Sequence, residues 1–195
     1  TRKEGKERVR YAHIGTGNFH EKTAQSYTDF SLLTSREDIT TEVRQVFSFM
    51  NTPYRKYSFR HLWVSPTTQR QKIYERINRE IELAELGRKA KLTLKLNNLT
   101  DDALVKKLYE ASRAGVQIDA CVRGMCTLVP GIPDMSDRIR IISIVDRFLE
   151  HPRVMIFHND GDPEVFISSA DWMTRNLDNR VEVTTPIYDP ALKKI

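Results

Sequence analysis

The chain is 195 residues long, with 31 lysines and arginines against 26 aspartates and glutamates and a formal charge of +5. That length supports one large domain or two small ones, and the surplus of cations favours polyanionic partners without naming one. There is no apolar run of membrane-spanning length and no signal-peptide core. Two cysteines, Cys121 and Cys126, make neither a disulfide framework nor a zinc site, so a reducing cytoplasm is the default compartment.

In chain order, a polar Glu4-Gly5 turn precedes a predicted strand from Val9 to Ile14, and Tyr27 to Leu33 forms another. Ser35-Arg36-Glu37-Asp38 has the pattern of a capping box opening a helix to Met50, with Ile39, Val43, Val46, Phe47 and Met50 on its apolar face. Asn51-Thr52-Pro53 ends it. Ser65-Pro66 then supplies an N-cap and a first-turn proline for a helix in which Ile73, Ile77 and Ile81 recur every fourth residue, up to Gly87. Strand 92–96, helix 101–114 closed by Gly115, and strand 116–122 follow. Beyond the Arg123-Gly124 loop come strand 139–145 and a short helical turn at 146–150. Val154–Phe157 and Val165–Ile167 form a hairpin around Asp160-Gly161. Asp189 to Lys194 resembles the first turn of a helix, and both ends look cut from a longer protein. The alternation of helices and β-rich runs implies an α/β fold with a largely parallel sheet.

One pattern occurs twice. Ile14-Gly15-Thr16-Gly17-Asn18-Phe19 reappears as Ile167-Ser168-Ser169-Ala170-Asp171-Trp172, with Lys22 opposite Arg175 and Asp29 opposite Glu182. Small residues closing an apolar strand, with a cation and an acid at fixed distances, form an anion-binding turn; two of them facing each other would grip a phosphate from both sides. The second copy is preceded by His151-Pro152-Arg153. This brings an imidazole beside Ser168-Ser169 as nucleophile or general acid, and a guanidinium fork suited to phosphate oxygens. Projected onto the first copy, the corresponding histidine falls about two residues, or a few more, before Thr1. His13 aligns with Phe166 and is expected to be a packed or hydrogen-bonded strand residue, and His20, His61 and His158 are expected to be solvated or structural.

Five blocks carry a family resemblance: Tyr11 to Phe19 with Glu21 to Ala24 and Tyr27-Thr28-Asp29; Leu94 to Leu99; Val122 to Cys126; Ile144 to His151; and Ser168 to Asn176. Together they resemble the bacterial polyphosphate kinases of the first type, whose catalytic region consists of two related subdomains of the phospholipase D superfamily fold. The resemblance implies a mixed, largely parallel sheet flanked by helices. Residues 1–61 would end a truncated first subdomain and residues 62–195 would make most of the second. It also implies reversible transfer of the ATP γ-phosphate to inorganic polyphosphate through a phosphohistidine, with ATP or ADP as substrate and Mg2+ held by residues upstream of this chain. The nucleophilic histidine would be upstream too, so residues 1–195 alone are expected to be inactive. His151 would be the second essential histidine, and nucleotide contacts fall on Tyr27, Arg123, His151 and Arg180. His20 stands where many relatives have asparagine. Further implications are a cytoplasmic protein, or one peripheral to the inner membrane, homo-oligomeric when complete and with no nucleic-acid partner.

Two other functions remain open at this level. One is a phospholipase D-like phosphodiesterase or nuclease, against which stands Arg153 where such hydrolases place lysine. The other is a noncatalytic polyanion-binding module. The residues leave open whether Lys22 and Arg175 support their turns or reach polyphosphate; Asp29 and Glu182 are expected to hold the cations of their repeats.

Overall fold

The computed structural model describes residues 1–194. The polar N-terminal stretch folds back on itself: β1 (Arg2–Glu4) and β2 (Glu7–Val9) pair antiparallel around a turn in which Gly5 takes φ +60°, a value that favours glycine. The predicted strand Val9–Ile14 is therefore divided, and its second part is β3 (Ala12–Gly15). After the one-turn helix α1 (Glu21–Ala24), the predicted strand Tyr27–Leu33 divides as well, into β4 (Tyr27–Thr28) and β5 (Ser31–Thr34). The break falls at Asp29-Phe30. β5 pairs antiparallel with β3, while β4 leaves to pair with a distant segment.

Helix α2 (Glu37–Asn51) buries Ile39, Val46 and Phe49, whereas Phe47 and Met50 are exposed, contrary to the expected face. The expected capping box does not form. Arg36 takes the N-cap position without a side-chain bond, and Asp38 instead accepts from the Ile39 N–H at 2.8 Å and pairs with the Arg36 guanidinium. Buried Glu42 accepts the backbone N–H groups of Arg60, His61 and Leu62, which fixes the irregular stretch after the helix.

The larger sheet begins with β6 (Trp63–Val64). The next helix starts later than Ser65-Pro66 suggested. The N–H groups of Thr67 and Thr68 close a turn on the Val64 carbonyl, so α3 (Gln69–Glu85) begins after Thr68. Ile73, Ile77 and Ile81 are buried along one face, as their spacing required. β7 (Lys91–Leu96), α4 (Asp102–Arg113) and β8 (Gln117–Val122) form a right-sized crossover unit with parallel strands. Asp101 caps α4 by accepting from the Leu104 N–H at 3.0 Å. β9 (Ile139–Ile142) adds a second parallel pairing.

No helical turn forms at 146–150. Leu149–Glu150 is instead β10, which pairs parallel with β4 through the Leu149 N–H on the Ser26 carbonyl, a contact local propensity does not encode. The hairpin β11 (Arg153–Phe157) and β12 (Glu164–Ser168) turns through Asn159–Gly161 as expected. α5 (Thr174–Asp178) and β13 (Val183–Pro186) complete the sheet, and Leu192–Lys194 closes with a 3₁₀ turn.

The seven strands run in the order β6-β13-β12-β11-β7-β8-β9. The α/β class and the mixed sheet hold. Within this sheet parallel pairing is confined to β7, β8 and β9; β11, β12, β13 and β6 join antiparallel. Trp63 and Phe166, with ring centroids 4.1 Å apart, pack with Phe157 in the main core. Ile39, Val46, Phe49, Phe59, Leu62 and Val64 form a second buried cluster under α2.

Candidate active site at the junction of two repeats

The repeated sequence is a repeated hydrogen-bond pattern. In the first copy the Thr16 N–H donates to the Phe30 carbonyl and the Phe30 N–H to Thr16 Oγ1, both at 3.0 Å, while Thr16 Oγ1 donates to Asp29 Oδ1 at 2.7 Å. In the second copy the Ser169 N–H donates to the Val183 carbonyl at 3.0 Å and the Val183 N–H to Ser169 Oγ at 3.1 Å, while Ser169 Oγ donates to Glu182. Strand registers agree too, with Ile14 opposite Leu32 and Ile167 opposite Thr185. Each carboxylate thus locks the hydroxyl of its own turn. Gly17 is required for the first lock: a Cβ there would lie 2.1 Å from Asp29 Oδ2.

The copies are joined by residues that cross between them. His151 and Arg153, which precede and open β11, reach into the first turn. His151 Nδ1 is 2.9 Å from Asp29 Oδ1, and Arg153 Nη1 donates to the Thr16 carbonyl at 3.0 Å. Arg153 Nε donates to Asp171 Oδ1 in the second turn at 3.2 Å. One buried guanidinium therefore spans both motifs. The fork that the sequence suggested for phosphate oxygens has its Nε and Nη1 engaged inside the protein, where it joins the turns.

The same guanidinium fixes the protonation state of the imidazole. Arg153 Nη1 lies 3.1 Å from His151 Nε2, and arginine only donates. Nε2 must therefore present its lone pair, and the proton sits on Nδ1, donated to Asp29. Burial holds the His151 pKa below the usual imidazole value; Asp29 pulls it back up, while Arg153 and Arg123 add to the depression. The imidazole is neutral at rest, with an oriented Nδ1–H.

Tyr27 lies beside it, with ring centroids 5.0 Å apart. Tyr27 and Arg123 line a cavity of about 420 Å³ together with the segment from Ile144 to Glu150. The structure thus brings Tyr27, Arg123 and His151 together. Arg180 is exposed just after α5, does not line this cavity, and occupies in the second repeat the position Tyr27 holds in the first. His13 is a strand residue, as the repeat alignment required, but it is exposed rather than packed, with its ring edge-on to Phe19. His20 caps α1, His158 accepts from the Gly161 N–H, and His61 bonds the Tyr188 hydroxyl. Lys22 and Arg175 are exposed.

Sequence reasoning missed the anchor beneath the site. Asp171 is buried and accepts the Asn97 N–H, the Asn98 side-chain amide and Arg153 Nε. Asn97 Oδ1 in turn accepts Arg123 Nε at 2.6 Å. The only signal was two adjacent asparagines ending an apolar strand, which name no chemistry by themselves. Among the described residues no group of three or more histidine, cysteine, aspartate and glutamate side chains converges to hold a metal ion, and no helix is long and apolar enough to cross a membrane.

The chain is similar to known proteins over its whole length. Residues 62–195 match the family model described as polyphosphate kinase C-terminal domain 2, and residues 1–56 match C-terminal domain 1. The chain is 62% identical over 194 residues to the polyphosphate kinase of Vibrio parahaemolyticus and 58% identical to that of Escherichia coli K12. All of the chain is covered in both cases, and it spans 28% of each relative's length. The crystal structure of polyphosphate kinase from Porphyromonas gingivalis superposes with a TM-score of 0.89 at 41% identity, covering the whole chain and 31% of that protein. The chain belongs to the polyphosphate kinase family.

Proposed function

We propose that the protein carrying this chain transfers the γ-phosphate of ATP reversibly to inorganic polyphosphate through a phosphohistidine. In this reading the site between the two repeats is the place of transfer. The crossing of His151 from the second copy onto Asp29 of the first is the observation that carries it. By the same symmetry, a histidine about two residues before Thr1 would donate its Nδ1–H to Glu182, leaving its Nε2 free to attack phosphorus. Its partners in the repeat support this: Glu182 already holds Ser169 as Asp29 holds Thr16.

His151 acts opposite that nucleophile. An entering polyanion draws Arg153 Nη1 off His151 Nε2 and favours the charged imidazole, so Nε2 takes a proton from water and then donates it to the bridging oxygen. Arg123 neutralises charge gathering on the transferred group, and Tyr27 flanks the base, with the cavity they line holding ATP or ADP. We assign Arg180 a weaker, outer nucleotide contact, since it stands outside that cavity. We place the Mg2+ ligands upstream of this chain, as the family resemblance implies, and route none of these roles through the metal.

The test uses the intact protein and residues 1–195 side by side. Intact protein incubated with γ-labelled ATP is expected to form acid-labile phosphohistidine and then polyphosphate, and residues 1–195 alone neither. Polyphosphate made by residues 1–195 would overturn the placement of the nucleophile.

A further inference from the structure

Asn97 directly follows β7 and is only 2% exposed, with most of its polar groups accounted for. Its N–H donates to Asp171 Oδ1 at 2.9 Å, its carbonyl accepts the Gly124 N–H at 2.8 Å, and its Oδ1 accepts Arg123 Nε at 2.6 Å. Because a guanidinium cannot accept, the amide oxygen must face Arg123, and Nδ2 is fixed on the other side of the amide. That Nδ2 is buried and has no hydrogen-bond partner. Buried donors are nearly always satisfied, so an orphan next to an arginine that lines a cavity needs an explanation.

Loose packing does not supply one. A Cβ on Gly124 would lie 2.8 Å from the Asn97 carbonyl and 2.7 Å from Asn98 Oδ1, so the loop after Arg123 is pressed onto this pair. Asn98 also accepts the Met125 N–H and donates to Asp171 Oδ2. Asn97 is held rigidly between Arg123 on one side and the Asp171–Arg153–His151 chain on the other. The one group of its side chain left unpaired is a donor, which suits an anionic oxygen.

We propose that Asn97 Nδ2 donates to the same phosphate group that the Arg123 fork holds, so that Asn97 both braces Arg123 and contacts the nucleotide itself. The proposal rests on the reading of Arg123 as a nucleotide contact. It is tested in the intact protein by measuring the affinity for a non-hydrolysable ATP analogue in wild type, Asn97→Ala, Arg123→Ala and the double variant. Each single variant is expected to bind roughly tenfold more weakly or worse, the scale of one hydrogen bond to a charged group. Asn97→Ala is expected to weaken binding by a further factor of about three or more when Arg123 is already alanine.

No further loss in the Arg123→Ala background would reduce Asn97 to a brace and overturn the direct contact. Wild-type affinity in Asn97→Ala would overturn the whole proposal. Wild-type affinity in Arg123→Ala would instead overturn the assignment of Arg123 as a nucleotide contact, and the shared phosphate with it. Should Asn97→Ala fail to fold, Asn97→Asp keeps the volume and the acceptor for Arg123 but removes the donor. It is expected to bind more weakly, and wild-type affinity in that variant would overturn the proposal.

Discussion

Replacing Arg153 by methionine tests the claim that one guanidinium joins the two repeats. Its side chain is 10% exposed and that of its partner Asp171 is 7% exposed, so methionine leaves a buried carboxylate without its cation. Breaking a buried pair from one side costs about 3–5 kcal/mol. Asp171 keeps the Asn97 N–H and the Asn98 amide, which places the expected loss at the lower end, about 3 kcal/mol. Urea unfolding of the 195-residue chain measures it as a lower midpoint at unchanged slope. Adding Asp171→Asn removes the stranded charge and is expected to recover about 1 kcal/mol or more. A loss below about 1 kcal/mol in Arg153→Met, with no recovery in the double variant, would refute the reasoning.

Two further outcomes follow from the first turn. Gly17→Ala places a methyl where the Asp29 carboxylate sits, so Asp29 must move off Thr16 and His151. The His151 Nδ1–H resonance, observed by NMR in the 195-residue chain, is expected to broaden or disappear, and a sharp, unshifted signal would contradict this. In the same chain the His151 imidazole is expected to titrate below about 6.5, and Asp29→Asn to move the midpoint lower still, since Asp29 favours the charged ring. A folded pKa below the unfolded one means that the unfolded state takes up the proton first. The His151 contribution to stability is therefore complete above about pH 6.5 and falls as the pH drops toward the native midpoint. A midpoint above 6.5 would contradict the neutral tautomer.

Much of this was legible in the sequence because it is local or repeated. The four-residue isoleucine spacing placed α3, and the Asp160-Gly161 turn placed the β11–β12 hairpin. Most informatively, the two small-residue motifs with Asp29 and Glu182 at matching offsets gave the paired turns and their acids. The rest depends on contacts between distant residues. Tyr27 to Leu33 carries the alternation of one strand, yet Asp29 leaves the ladder to hold Thr16 and His151. Leu149 and Glu150 have no local reason to be extended and are so because β4 supplies the pairing. Arg153 has the composition of a phosphate fork, and only the fold shows Nε and Nη1 engaged by Asp171 and Thr16. The acids were expected to hold cations. Asp29 holds a neutral imidazole and a hydroxyl instead, and Glu182 a hydroxyl and the Asn176 amide.

The central claim is that each repeat holds the histidine of the other. It is tested most directly by Glu182→Gln in the intact protein, because Glu182 lies in the second repeat while the histidine it is assigned precedes the first. Rapid-quench measurement with γ-labelled ATP follows phosphohistidine formation before any polyphosphate accumulates. The account expects the rate to fall on the order of a hundredfold as the imidazole loses its orienting carboxylate. Phosphohistidine forming at the wild-type rate in Glu182→Gln would contradict it.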